Sequence, residues 1–182
     1  MRQSLFKEGE NVNFIKSLYR WNKVFNNTML TVAGVILVCS MMLIVINGFI
    51  RIFTVPFGAT VEVVGWGAAI VTVFSLGATQ ISKGHVSIDL LVEKFPKSVQ
   101  RILDSIFTLM AIAFFSLAAY QLYKYGVSLK GSLSSTLRIE YWPLLIVVAF
   151  GFISLITTLI INLLYLITGM EEEEEWTQEQ SL

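Results

Sequence analysis

Gly77-Ala-Thr-Gln-Ile-Ser-Lys-Gly-His-Val-Ser-Ile-Asp-Leu-Leu-Val-Glu-Lys-Phe-Pro96 is where a membrane-length apolar segment gives way to a short amphipathic one. Ile88, Leu91, Val92 and Phe95 fall at i, i+3, i+4 and i+7, one face of a helix, while Asp89, Glu93 and Lys94 point elsewhere. The spacing predicts a helix over 84–96 lying along the membrane surface. Gly84 supplies the backbone freedom for a sharp exit from the preceding segment, Ser87 is placed to cap the helix with Asp89 in its first turn, and Pro96 ends it. Val86 and Leu90 fall on the polar side, so a loop helix buried against the bundle is the other reading.

Working outward, the composition settles the class. Of 182 residues, 55% are hydrophobic and 14% charged, and the mean hydropathy is +0.70, too apolar for a soluble domain. The net charge is zero and the basic residues are scattered, so a nucleic-acid partner has no support. Cys39 is the only cysteine, so no intrachain disulfide can form. A long polar leader precedes the first apolar segment with no small-residue cleavage site, and the first span is expected to be retained.

The leader, residues 1–27, carries Phe14, Leu18, Trp21 and Phe25 on one narrow helix face, with Lys16, Arg20 and Lys23 opposite. That pattern predicts an amphipathic helix anchored in the lipid interface on the cytoplasmic side; a solvated leader whose aromatics cover the first span is the alternative. Four spans follow, over 28–50, 61–81, 102–123 and 143–167, each long enough for a hydrocarbon core of about 30 Å at ~1.5 Å per residue. Span two carries a stripe of small residues, Gly65, Ala68, Thr72, Ser75 and Thr79, at helical spacing. It reads as a packing seam for another helix, with a substrate-lining face as the sharper alternative. Arg101 and Asp104 are spaced to pair at the entrance of span three, Asn162 is the strongly polar residue inside span four, and 170–182 form an acidic tail. The expected fold is therefore an all-α membrane protein: four transmembrane helices, an N-terminal amphipathic helix, and a short interfacial helix between spans two and three.

Orientation follows from counting Lys and Arg. Arg2, Lys7, Lys16, Arg20 and Lys23 in the leader, and Lys83, Lys94, Lys97 and Arg101 between spans two and three, outnumber Arg51, Lys124, Lys130 and Arg138 on the other side. Both termini are expected in the cytoplasm, with the connections that carry Arg51, Lys130, Arg138 and Glu140 facing outward.

Several four-span chemistries lack their residues. A haem bundle needs axial ligands within spans, and the one histidine, His85, lies in the turn. A disulfide exchanger needs paired cysteines. A proton-coupled exporter wants a carboxylate at mid-span, whereas Glu62, Asp104 and Glu140 all fall near span ends. No catalytic constellation, cofactor site or metal site is expected.

Glu62, Trp66, Gly77, the run Gly84-His85-Val86-Ser87-Ile88-Asp89, Pro96, the run Ser134-Ser135-Thr136-Leu137-Arg138-Ile139 and Trp142 occur in an order that resembles the small (DctQ-like) membrane subunit of tripartite ATP-independent periplasmic (TRAP) transporters. Glu140 departs from the pattern, standing where proline is expected after Ile139. The resemblance implies a noncatalytic scaffold subunit in a bacterial inner membrane. Its partners would be a large multi-span subunit, which moves an organic acid such as a C4-dicarboxylate or sialic acid with sodium by an elevator motion, and a periplasmic binding protein that delivers the substrate. The coupling sodium is expected in the large subunit. Glu62, Gly65, Trp66, Ala68, Thr72, Ser75, Gly84, His85 and Asp89 are then candidates for packing and partner contact, and Arg51, Lys130, Arg138 and Glu140 for docking the binding protein. The competing readings are a small transporter or channel built by self-association of this chain, supported by the polar content of span two, and a stand-alone membrane enzyme.

Overall fold

The structure is a computed structural model that describes residues 2–82 and 96–168. The surface helix expected over 84–96, including Gly84, His85 and Asp89, and the acidic tail lie outside the described residues, apart from Pro96. Four helices account for nearly all of the rest: α1 (Arg2–Phe53), α2 (Thr60–Ile81), α3 (Lys97–Ser128) and α4 (Trp142–Thr168). All four are long and apolar enough to cross a membrane.

The helices outrun the apolar segments that announced them. α1 is a single helix of 52 residues, about 78 Å at 1.5 Å per residue, so no break separates the leader from span one near residue 28. Hydropathy locates the apolar stretch, but the backbone hydrogen-bond ladder continues wherever no Pro or cap interrupts it. α3 likewise starts at Lys97, directly after Pro96 at its N-cap, and passes through Gly126 to Ser128. Gly126 stays helical because α4 lies against it: a Cβ there would sit 3.1 Å from Leu145 Cβ. Between α1 and α2, Pro56 forbids a continuous helix, and the turn is tied from both sides. The Phe57 N–H donates to Asn47 Oδ1 at 2.7 Å, and Thr60 Oγ1 donates to the Phe57 carbonyl at 2.7 Å.

Contacts between helices fix the topology. Gly67 meets Ser40 and Gly77 meets Asn26, so α1 and α2 run antiparallel; Gly77 meets Ser154 and Gly151 meets Val73, so α2 and α4 run parallel. Phe115 stacks on Phe152 and Gly126 touches Leu145, which sets α3 antiparallel to α4. The result is an up-down-up-down bundle in which α4 packs against all three other helices while α3 packs against α4. Burial agrees: 44% of the most apolar window of α4 is buried and none of that of α3. The broad apolar surface left on α1 and α3 is what a hydrocarbon environment accommodates.

Along α1 the inward face is Ile15, Tyr19, Asn22, Asn26, Met29 and Ala33, alternating steps of four and three that keep one seam against its neighbours. Leu18, Trp21 and Phe25 lie outside that seam and are exposed, Trp21 by 75%; Phe14 is in the same helix. Leu18, Trp21 and Phe25 of the stripe read from the sequence therefore face away from the bundle.

Candidate functional site

At the end of the bundle that carries the two described connections, residues 129–141 fold back on α2. The segment is a tight hairpin: Ser134 N–H donates to the Ile139 carbonyl at 2.8 Å, and Tyr141 N–H to the Ser132 carbonyl at 3.2 Å. Glu62 and Trp66, one turn apart on α2, hold it. Ser134 Oγ donates to Glu62 Oε1, and in turn accepts from the Leu137 N–H at 3.3 Å; Trp66 packs on Tyr141 with ring centroids 5.4 Å apart. Ser134 is buried although it belongs to a connection, because its hydroxyl bridges helix and hairpin. Two of the α2 residues that carried the family resemblance, Glu62 and Trp66, thus act together on the hairpin that carried another part.

The four charged residues expected to dock a partner divide into two pairs. Glu140 accepts from Trp142 Nε1, and Lys130 Nζ lies 5.5 Å from the centroid of the same indole, so both charges are engaged in shaping the start of α4. Arg138 is exposed at the hairpin with φ of 54°, a left-handed conformation that non-glycine residues seldom take and that costs of order 1 kcal/mol. Arg51 is exposed at the end of α1, where it lines a groove between α1 and α2. The hairpin's ladder bonds use Ile139 O and Tyr141 N and leave the backbone N–H of residue 140 out, so its hydrogen bonding sets no demand for or against the proline that the resemblance leads one to expect there.

Deeper, toward the N-terminal end of α1, the bundle is pinned by polar groups. Asn26 Nδ2 donates to Asn22 O at 2.9 Å, Asn22 Oδ1 at 3.0 Å and Thr158 Oγ1 at 3.2 Å, while its Oδ1 accepts from Ser154 Oγ at 2.5 Å. Asn22 Nδ2 donates to Thr158 Oγ1 at 3.0 Å, and Thr157 Oγ1 donates to Asn22 Oδ1 at 3.3 Å. Gly77 of α2 closes the third side, because a Cβ there would lie 2.5 Å from Ser154 Oγ. Below this clamp Tyr19 meets Tyr165 edge-on at 5.8 Å, beside Ile15 and Ile161. Asn22 and Asn26 were not singled out in the sequence, where they look like ordinary leader residues. The available signal was a match of spacing: two amides four apart on α1 and two hydroxyls, Ser154 and Thr158, four apart on α4.

The small-residue stripe of α2 divides as well. Gly65, Ala68 and Thr72 are exposed, and the Thr72 hydroxyl bonds back to the Ala68 carbonyl at 2.8 Å. Ser75 and Thr79 are half-buried and also bond within their own helix. Close approach inside the chain uses the neighbouring face, at Gly67 and Gly77, and Gly151 of α4 against Val73.

This order of elements matches a known family: the model for the DctQ component of tripartite ATP-independent periplasmic transporters matches residues 40–169. The chain belongs to the DctQ family. Neither the curated proteins nor the solved structures contain a match. DctQ proteins are transporter components and not enzymes, and they work with a large TRAP membrane subunit and a periplasmic binding protein. With four apolar helices, this DctQ protein is a multi-pass protein of the inner membrane. The DctQ match includes Glu62, Trp66, the hairpin and the α4 half of the clamp, whereas Asn22 and Asn26 precede it. The clamp thus joins the matched bundle to the leader half of α1.

Proposed function

We propose that this DctQ protein is the stationary scaffold of a sodium-coupled TRAP importer of an organic acid. Its large partner subunit carries substrate and sodium in an elevator motion, and a periplasmic binding protein delivers the substrate. The observation that carries this reading is the use to which the interior polar groups are put. Asn22, Asn26, Ser154, Thr157 and Thr158 satisfy one another across α1 and α4, so their hydrogen-bonding capacity goes into fixing helices rather than receiving a solute. An elevator needs such a fixed neighbour.

In this reading both termini lie in the cytoplasm and the hairpin faces the periplasm, as the distribution of Lys and Arg favours. The hairpin, fastened to α2 by Glu62 and Trp66, then presents Arg138 to the binding protein. The exposed Leu18, Trp21 and Phe25 give the leader an apolar face for the cytoplasmic interface.

The test is uptake into proteoliposomes carrying the small chain alone, the large subunit alone, or both, each with the binding protein and a sodium gradient. Uptake is expected only with both membrane subunits. Uptake by the small chain alone would favour a self-associating transporter and overturn the scaffold reading.

A further inference from the structure

The hairpin face of α2 is occupied by the chain itself, but the adjoining face, Val61, Gly65 and Ala68, opens on a groove of about 490 Å³ shared with α1. From the arrangement of charge and depth in this groove we infer that it is a phospholipid site: the headgroup phosphate sits on Arg51, and one acyl chain lies in the trough below.

Three features select this occupant. The first is polarity along the groove. Its rim holds Arg51, Asn47 and Thr60 at the boundary end of the spans, and its deeper part holds Ile44, Val64 and Ala68, so a cation stands at the mouth of an apolar channel. An amphiphile with an anionic head is complementary to that order, and guanidinium is well suited to phosphate oxygens. The second is depth. From Arg51 to Ile44 on α1, and from Thr60 to Ala68 on α2, the walls run about 10–12 Å at 1.5 Å per residue, most of one leaflet of a ~30 Å hydrocarbon core. The third is width. A Cβ on Gly48 or Gly65 would meet nothing within 4 Å, so the floor is open where the chain must enter. At the level of Ala68 α1 and α2 touch, with Ser40 Oγ 2.8 Å and Ile36 Cγ2 3.4 Å from where a Gly67 Cβ would be. The trough therefore ends within one leaflet, which suits an acyl chain and not a membrane-crossing helix about 10 Å across.

The bound lipid fills the wedge between α1 and α2 beside the Pro56 turn and adds apolar contact where the chain's own side chains are small. Arg51 thereby has a use separate from that of Arg138.

Native mass spectrometry of the full chain, released from detergent micelles supplied with dioleoyl phosphatidylglycerol, tests the assignment. One retained lipid is expected on the parent chain, with retention lowered about tenfold in Arg51→Ala, as for loss of a charge-assisted contact, and kept in Arg51→Lys. Ala68→Leu, which fills the trough without touching the rim, should lower retention comparably, and Arg138→Ala should leave it at the parental level. Dioleoylglycerol, which has the same chains without the phosphate, should be retained no better by the parent than by Arg51→Ala. Helical circular dichroism of each variant confirms that the bundle is formed. Equal retention across the variants, or an equal loss in Arg138→Ala, would overturn the site. So would an Ala68→Leu chain that keeps its lipid but no longer co-purifies with the large subunit, since the groove would then be a seat for a partner helix.

Discussion

Asn26 of α1 and Ser154 of α4 are both fully buried and face each other across the bundle, with the serine hydroxyl donating to the amide oxygen at 2.5 Å. They lie 128 residues apart in the chain, and Gly77 of α2 passes close enough that only a glycine fits beside them. Three of the four helices are fixed at this point, one of them by the part of α1 that precedes the family match.

Replacing Asn26 with Leu should destabilise the purified chain by about 1–3 kcal/mol, because Ser154 and Asn22 are left with unsatisfied buried groups. Ser154→Ala should cost less, about 0.5–1.5 kcal/mol, since it removes one bond. The double variant should lose less than the sum of the two, as expected for residues in one network. Denaturation of the four chains in the same detergent measures this, and strict additivity would show that the two residues do not act together.

Gly151→Leu should disrupt the bundle, whereas Ala68→Leu should leave it folded. A Cβ on Gly151 already lies 2.5 Å from Val73 Cγ2, and overpacking of this kind typically costs at least 1–3 kcal/mol. Ala68 is exposed on the groove side of α2. Size-exclusion profiles and melting of the two variants give the comparison.

Glu62→Ala should release the hairpin from α2 without unfolding the spans. The Glu62 carboxylate is the acceptor for Ser134, and Ser134 in turn holds the Leu137 N–H. Faster amide exchange confined to residues 129–141, with α2 and α4 still protected, is the expected result. Ser134→Ala should reproduce it. Unchanged exchange in both variants would mean that Trp66 and Tyr141 suffice to hold the segment.

Arg138 combines a charge with a left-handed backbone, and the two can be separated. Arg138→Asn keeps a residue that tolerates this conformation and removes the charge, while Arg138→Glu reverses it. If the hairpin docks the binding protein electrostatically, uptake at limiting binding protein should fall in Arg138→Asn and further in Arg138→Glu. The deficit should shrink as salt rises from low ionic strength, because charge pairing across a transient interface mainly speeds encounter. Parental uptake in both variants at low salt would remove Arg138 from the docking surface.

Four spans and their alternating direction were legible in the sequence because hydropathy and span length set them. The ends of the helices were not, since α1 passes through residue 28 and α3 passes through Gly126 on backbone hydrogen bonds that hydropathy does not record. The site was legible where local order carried it: Glu62, Trp66 and the Ser134–Ile139 run were all picked out, though not that Ser134 bonds to Glu62. Glu140 and Lys130 looked like free surface charges because their shared use of the Trp142 indole depends on how the hairpin closes. Period places Gly65, Ala68 and Thr72 on one face of α2, but one helix cannot reveal which of its faces a neighbour covers. For Asn22 and Asn26 the meaning lies wholly in α4, more than a hundred residues later.

The most direct test of a stationary scaffold is to lock two of its helices together and ask whether transport continues. Val73 and Gly151 face each other for this: Val73→Cys removes the methyl that a Gly151 side chain would strike, and a Cβ built on Gly151 lies 2.8 Å from Val73 Cβ, so the two helices must part by about 0.7 Å to reach the 3.5–4.5 Å typical of a disulfide. The exposed Cys39 is first changed to Ser, and Val73→Cys and Gly151→Cys are introduced together. Sodium-driven uptake is then measured in the assembled complex with binding protein, before and after oxidation and again after reduction. If α2 and α4 keep one arrangement throughout the transport cycle, the oxidised complex transports at the rate of the same reduced complex. A loss of uptake on oxidation that reduction restores, with the complex intact, would contradict the scaffold account.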